Sequence, residues 1–162
     1  MQNKKQNIKA KIIFYGIFTF LILASGSINN SQAAENPADQ VSLKNDLGGN
    51  IETSINRLTG KVNYLAKKGA GEPLSLAKDK NKKNQAISQE FLQKFGHYFG
   101  IKDSNRELKL LKETKDNLGM NHLKYNQRWQ GVPVYGGQII VHLNSKQAIT
   151  SINGNIYPIE NL

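Results

Sequence analysis

Between Asn84 and Gly100, Ile87, Phe91, Leu92, Phe95, Tyr98 and Phe99 recur at helical spacing, so one face of a helix is wholly apolar. Each phenylalanine it buries is worth about 1.5–3 kcal/mol, and a face of that kind needs a sheet to lie on. Asn84 offers a side-chain oxygen to the free amides at the helix start, and Gly100 supplies the left-handed residue that ends it. The sheet follows at once. Glu107 to Thr114 is β-compatible, and Asp116-Asn117-Leu118-Gly119 reads as a turn. Met120 to Trp129 then alternates, with Leu123, Tyr125, Gln127 and Trp129 against His122, Lys124, Asn126 and Arg128. Gln138 to Leu143 and Ala148 to Asn153 predict two further strands around a turn at Asn144 to Gln147. Consecutive strands on short turns pair antiparallel. The expected fold class is α+β, a curled antiparallel β-meander packed on one amphipathic helix from Asn84 to Pro158.

Upstream, Ile51 to Leu58 and Lys61 to Leu65 are short β-prone runs around Thr59-Gly60. Ala34 to Asp46 is polar, contains Pro37, and reads as a loose tail. Lys67, Lys68, Lys78, Lys80, Lys82 and Lys83 lie among Gly69, Gly71 and Pro73, which predicts a basic exposed loop and a site for proteolytic nicking. That run lacks the interleaved aromatic residues that stack bases, so a solvated loop is the reading and nucleic acid is not an expected partner. Residues 34–83 form a polar segment before the helix-on-sheet region of 84–158, and 159–162 form a tail.

The first 33 residues read as an address. Lys4, Lys5, Lys9 and Lys11 precede 13 uncharged residues from Ile12 to Ala24, and Ser31-Gln32-Ala33 places small residues where a signal peptidase reads. Cleavage between Ala33 and Ala34 is expected, giving a secreted chain of 129 residues with no membrane association after signal removal. The apolar run is short for a membrane span, which needs roughly 20 residues. Removing four lysines lowers the formal charge from +10 to +6. Cysteine is absent, so an exported chain must be stabilised without disulfides.

Reactive chemistry is hard to find. His97, His122 and His142 lie outside any His-Glu-x-x-His helix, and there is neither a cysteine nor a Gly-x-Ser-x-Gly elbow. No catalytic, metal-binding or cofactor-binding residue is assigned, and the chain is not expected to be an enzyme. The remaining candidate is the stretch Gln127, Trp129, Gln130, Gly131, Val132, Pro133, Val134, Tyr135, Gly136 and Gly137, which contains the single tryptophan. Pro133 holds Val132 extended, and the glycines predict a turn from Gln130 to Gly137. Trp129 and Tyr135 are either core beneath the helix or protein-binding anchors.

Four motifs, Gly119-x-x-His122-x-x-Tyr125-x-Gln127, Gln130-Gly-Val-Pro-Val-Tyr-Gly-Gly137, Ile140-Val-His142-Leu143 and Ser151-Ile-Asn-Gly154-Asn-Ile-Tyr-Pro158, resemble the fungalysin/thermolysin propeptide domain. Gln89 to Ile101 and Thr59-Gly60 are also similar to that pro-region. The resemblance covers most of Asn50 to Pro158 and departs at Asn144-Ser-Lys-Gln147, which lacks the usual glycine. It implies a non-catalytic inhibitor and folding assistant of a secreted thermolysin-like zinc metallopeptidase. The partner would be the peptidase catalytic domain, in cis or in trans, and zinc would sit only there. A PepSY subdomain and a His-Glu-x-x-His catalytic domain would follow in such a precursor, beyond Leu162. The alternative is a free-standing secreted protease-binding module. Its helix-on-sheet fold and Gln130-x-Val132 are similar to cystatin-type inhibitors, although Val134 stands where those have glycine.

Overall fold

The computed structural model describes residues 37–69, 72–75 and 81–159. The expected signal segment, its cleavage point, Lys78 and Lys80 lie outside them. The elements are α1 (Pro37–Asp46), β1 (Ile51–Asn56), β2 (Lys61–Lys67), α2 (Asn84–Phe95), a 3₁₀ turn (Gly96–Phe99), α3 (Ser104–Glu107), β3 (Leu108–Lys115), β4 (Asn121–Trp129), β5 (Val132–Leu143) and β6 (Ile149–Asn155).

The strands form one open antiparallel sheet in the order β1-β2-β6-β5-β4-β3. The expected α+β meander is β3 to β6. The β1–β2 hairpin extends it by pairing Tyr64, Leu65 and Ala66 with Asn153, Ile152 and Ser151, so the sheet runs across residue 83. Ile87, Phe91, Leu92 and Phe95 of α2 pack with Phe99 and Ile101 against Leu65, Leu123, Tyr125, Ile139, Val141, Leu143 and Ile152. The period-2 alternation of β5 is visible in its burial, because Ile139, Val141 and Leu143 are sealed while Gln138, Ile140 and His142 remain partly open.

Three local expectations are corrected. The segment read as a loose tail contains α1. Leu43 is fully buried, the Tyr98 hydroxyl donates to Asp46 Oδ2 at 2.9 Å, and Lys67 Nζ donates to the Leu47 carbonyl at 2.7 Å. These tertiary ties order a helix whose own apolar pattern is weak. Asn84 does not cap α2, since Lys83 occupies the cap position without a side-chain bond. Asn84 instead donates to Glu113 Oε1 at 2.7 Å and accepts from Gln147 Nε2 at 3.1 Å, tying the helix start to β3 and to the β5–β6 turn. Finally, more than one helix covers the sheet: Asp103 Oδ1 caps α3 through the amides of Asn105 and Arg106, and Gln89 Nε2 donates to Asn105 Oδ1 at 2.7 Å, holding α3 to α2. The left-handed end at Gly100 is present, with φ of 88°. At the turn that lacks a glycine, Gln147 takes the positive φ of 61°, while Asn144 Oδ1 accepts from the amides of Lys146 and Ala148 at 3.0 Å.

Candidate functional site: an anchored hairpin

The expected turn from Gln130 to Gly137 is shorter than its glycines suggest. Only Gln130 and Gly131 turn, with φ of 48° and 85°, and β5 begins at Val132, six residues before the strand expected from Gln138. Positive φ at both central residues is the two-residue hairpin geometry whose twist matches the flanking strands. Trp129 faces Val132 and Arg128 faces Pro133. Pro133 is tolerated because β6 pairs only with Gln138 to Leu143 of β5, so no ladder bond is lost on that side.

Below the tip the register jumps. Asn126 faces Gln138 and Arg128 faces Pro133, which leaves Gln127 alone opposite Val134, Tyr135, Gly136 and Gly137. This wide bulge pushes Tyr135 fully into solvent, so Tyr135 is not core. Val132 is also exposed. Trp129 is half-buried and lines a hollow of about 180 Å³ with Gly100, Lys102, Glu107, Gln127, Arg128 and Ile159.

Gln127 does the opposite of Tyr135. It is 2% exposed, its Nε2 donates to the Tyr157 carbonyl at 2.7 Å, and its Oε1 accepts from the Tyr157 amide at 3.0 Å. One side chain thus satisfies both main-chain groups of a residue on the segment after β6. Gly137 makes room for it, because a Cβ there would lie 2.5 Å from Gln127 Oε1 and 2.8 Å from its Cβ. Gly136 sits against the Tyr157 ring, with its would-be Cβ 3.4 Å from the hydroxyl. The ten residues expected to bind protein therefore form one hairpin with two roles: Gln127 and Gly137 hold it, while Val132 and Tyr135 are presented. Gln127 could have been singled out in sequence, as a polar residue in register with Leu123 and Tyr125 on the apolar side of β4.

Sequence reading also missed a polar chain on the other face of the sheet. His122 and His142 are directly opposite on β4 and β5, and their Nδ1 atoms are 2.6 Å apart. His122 Nε2 meets Asp116 Oδ2 at 3.0 Å, and His142 Nε2 meets Asn153 Oδ1 at 2.5 Å. One proton between the two Nδ1 atoms makes a bond, whereas two would set N–H against N–H. His142 is held below the usual histidine value of 6.5, first by burial and also by its neighbour His122, with the Asn153 bond opposing. The Met120 amide, with His122 contributing, holds Asp116 below the usual 3.8. His97 is apart from both, exposed on the 3₁₀ turn with its ring 4.0 Å from that of Tyr98. Among the described residues no group of three or more His, Cys, Asp or Glu is placed to hold a metal.

The depressed His142 value has a definite consequence. Between the folded and unfolded values the unfolded chain binds more protons, so stability is complete above about pH 6.5 and falls as pH drops below it. The Asp116 contribution is present above 3.8 and is lost only at lower pH, so the fall that begins near pH 6.5 belongs to His142. The thermal midpoint of the native chain is expected to fall as pH is lowered below about 6.5. His142→Asn should flatten that slope, and an unchanged slope would remove His142 as its source.

The fold and the site define an α+β domain whose distinctive feature is a hairpin anchored from inside by Gln127, with Val132 and Tyr135 exposed. Residues 106–156, which take in β3 to β6 and this hairpin, match the Fungalysin/Thermolysin Propeptide Motif. It is 34% identical over 98 residues to the bacillolysin of Bacillus subtilis strain 168, covering 60% of this chain and 18% of that protein. It is 37% identical over 73 residues to the bacillolysin of Bacillus amyloliquefaciens, covering 45% of this chain and 14% of that one. With the thermolysin of Bacillus caldolyticus it shares 28% over 75 residues, 46% of this chain and 14% of the relative. The chain therefore spans less than a fifth of the curated relatives it matches. No solved structure matches it.

Proposed function

We propose that this chain is a non-catalytic pro-region of a secreted thermolysin-like zinc metallopeptidase, which inhibits the catalytic domain and assists its folding. Residues 1–33 act as the secretory signal, and the zinc belongs to the peptidase. The observation that carries the reading is that the propeptide motif of residues 106–156 contains the anchored hairpin with Tyr135 in solvent. A large aromatic presented from a rigid support loses little conformational freedom on binding, which favours tight contact. Val132, Pro133, Val134 and Tyr135 are the contacts, and Gln127, Gly136 and Gly137 are their support.

The test mixes the purified chain with mature bacillolysin or thermolysin, and also adds it to refolding reactions of the denatured enzymes. Slowed peptide hydrolysis and a higher refolding yield are expected at micromolar chain, and no change in either rejects the proposal. Tyr135→Ala should weaken inhibition about 30-fold, the effect of an interface hot spot. It should change stability by no more than about 0.5 kcal/mol, because the side chain touches solvent only. Equal inhibition by Tyr135→Ala would move the contact elsewhere. A papain-type enzyme belongs in the same assay, and its inhibition would favour the cystatin-type alternative.

A further inference from the structure

We propose that the open face of β3 and β4 docks an acidic protein surface, carried by the metallopeptidase domain. This rests on the pro-region reading and adds the chemistry of the partner. The helices cover one face of the sheet. The other carries Lys109 and Lys112 from β3, with Lys124 and Arg128 from β4. Lys109 faces Asn126, Lys112 is directly opposite Lys124, and Arg128 lies on the same side two residues beyond Asn126. None of the four is ion-paired among the described residues. The neighbouring acids are engaged elsewhere: Glu113 accepts from Asn84, Asp116 meets His122, and Glu107 accepts the amides of Lys102 and Asp103.

Like charges directly opposite across a strand pair are destabilising. The Lys112–Lys124 pair is thus a standing cost that an anionic partner would relieve. Beside it Lys109, Leu110, Leu111, Asn126, Arg128 and Pro133 line a groove of about 220 Å³. Leu111, at the β-bulge, is 54% exposed. A cationic patch around exposed apolar residues is suited to a partner of opposite charge, because complementary potentials steer encounter and fix register. Nucleic acid is a poorer fit, because no aromatic side chain interleaves the four cations to stack a base. β3 is also an edge strand, paired only with β4, so its outer backbone is free to meet an extended segment of the partner.

The experiment uses the full chain, its Lys109→Gln/Lys112→Gln/Lys124→Gln/Arg128→Gln variant, and Tyr135→Ala as a reference. Mature bacillolysin and thermolysin are the probes. Association and dissociation rates are followed by inhibition at about 20 and about 200 mM salt, a range over which steering between opposite charges is strongly screened. The native chain is expected to associate about 10-fold slower at the higher salt. The quadruple variant should associate about 10-fold slower at low salt and lose most of the salt dependence. Its thermal midpoint should equal or exceed that of the native chain, because the Lys112–Lys124 repulsion is gone. Tyr135→Ala should raise dissociation and keep the salt dependence, since an uncharged contact acts on the off-rate. A quadruple variant with native rates and native salt dependence overturns the proposal, as does one that melts lower. Anionic phospholipid vesicles and duplex DNA are measured alongside. If the four substitutions abolish binding to either while peptidase association is untouched, the partner class is wrong. A native chain that engages neither peptidase overturns the pro-region reading itself, an outcome distinct from failure of the basic face alone.

Discussion

Gly154→Ala is expected to lower the thermal midpoint by roughly 15 °C. A Cβ at this position would stand 2.1 Å from the Gln138 carbonyl oxygen and 2.7 Å from the Ile139 Cα. Both are backbone atoms of β5, and Ile139, which pairs with Gly154, is fully buried, so neither strand can give way cheaply. The φ of 148° adds strain for any residue with a side chain. Overpacking of about 1–3 kcal/mol and backbone strain of about 1–3 kcal/mol together come to roughly 4 kcal/mol, at about 4 °C per kcal/mol for a domain of this size. Gly131→Ala is the matched control: its φ is also positive at 85°, but nothing lies within 4 Å of the added carbon. It should cost about 1 kcal/mol. Differential scanning calorimetry of the two variants decides the matter, and equal midpoints would mean that the β5–β6 approach is not tight.

What could be read in the sequence was what repeats. The apolar positions of α2 recur with a helical period, and those of β4 alternate, so the helix, the β4–β5–β6 order and the core residues Phe91, Leu92, Leu123 and Tyr125 were all legible. What could not be read depends on single contacts between distant residues. α1 was invisible because its order comes from Leu43 entering the core and from Tyr98 bonding Asp46, 52 positions away. The start of β5 was misplaced because Gly136 and Gly137 look like turn residues. Inside the strand Gly136 instead takes the positive φ of 75° at the bulge, and Gly137 gives close approach to Gln127. The His122–His142 pair required the strand register, which periodicity alone does not supply.

The resemblance motifs are therefore mostly architecture. Gly137 and Gly154 are placed where a side chain cannot fit, and Gln127 is turned inward. The residues left facing out, Val132 and Tyr135 on the hairpin and the four cations on the open sheet face, are not needed for that packing. Substitutions should accordingly separate into two groups, those that melt the domain and those that leave it folded but change what it binds.

Gln127→Ala is the test of the first group that bears most directly on the hairpin. It deletes two hydrogen bonds and strands the amide and carbonyl of Tyr157, with a cost of about 1–3 kcal/mol for each buried group left without a partner. A loss of about 3–4 kcal/mol is expected, together with faster hydrogen exchange at the Tyr157 amide. Gln127→Leu fills the same space without the bonds, so a similar loss there would assign the effect to hydrogen bonding and not to a cavity. In Gln127→Glu an oxygen replaces Nε2 and faces the Tyr157 carbonyl, so the variant should be less stable than the native chain at neutral pH. It should recover part of the loss in acid, where a protonated carboxyl donates again. Gly137→Ala should cost less in the Gln127→Ala background than alone, because the 2.5 Å contact to Oε1 no longer exists, although the 2.8 Å contact to the Cβ remains. A coupling of about 1 kcal/mol or more in that double-mutant cycle is expected. If the two substitutions are additive and Gln127→Ala melts within about 1 kcal/mol of the native chain, the Gln127–Tyr157 pairing does not hold the hairpin, and the case for Tyr135 as a preorganised contact falls with it.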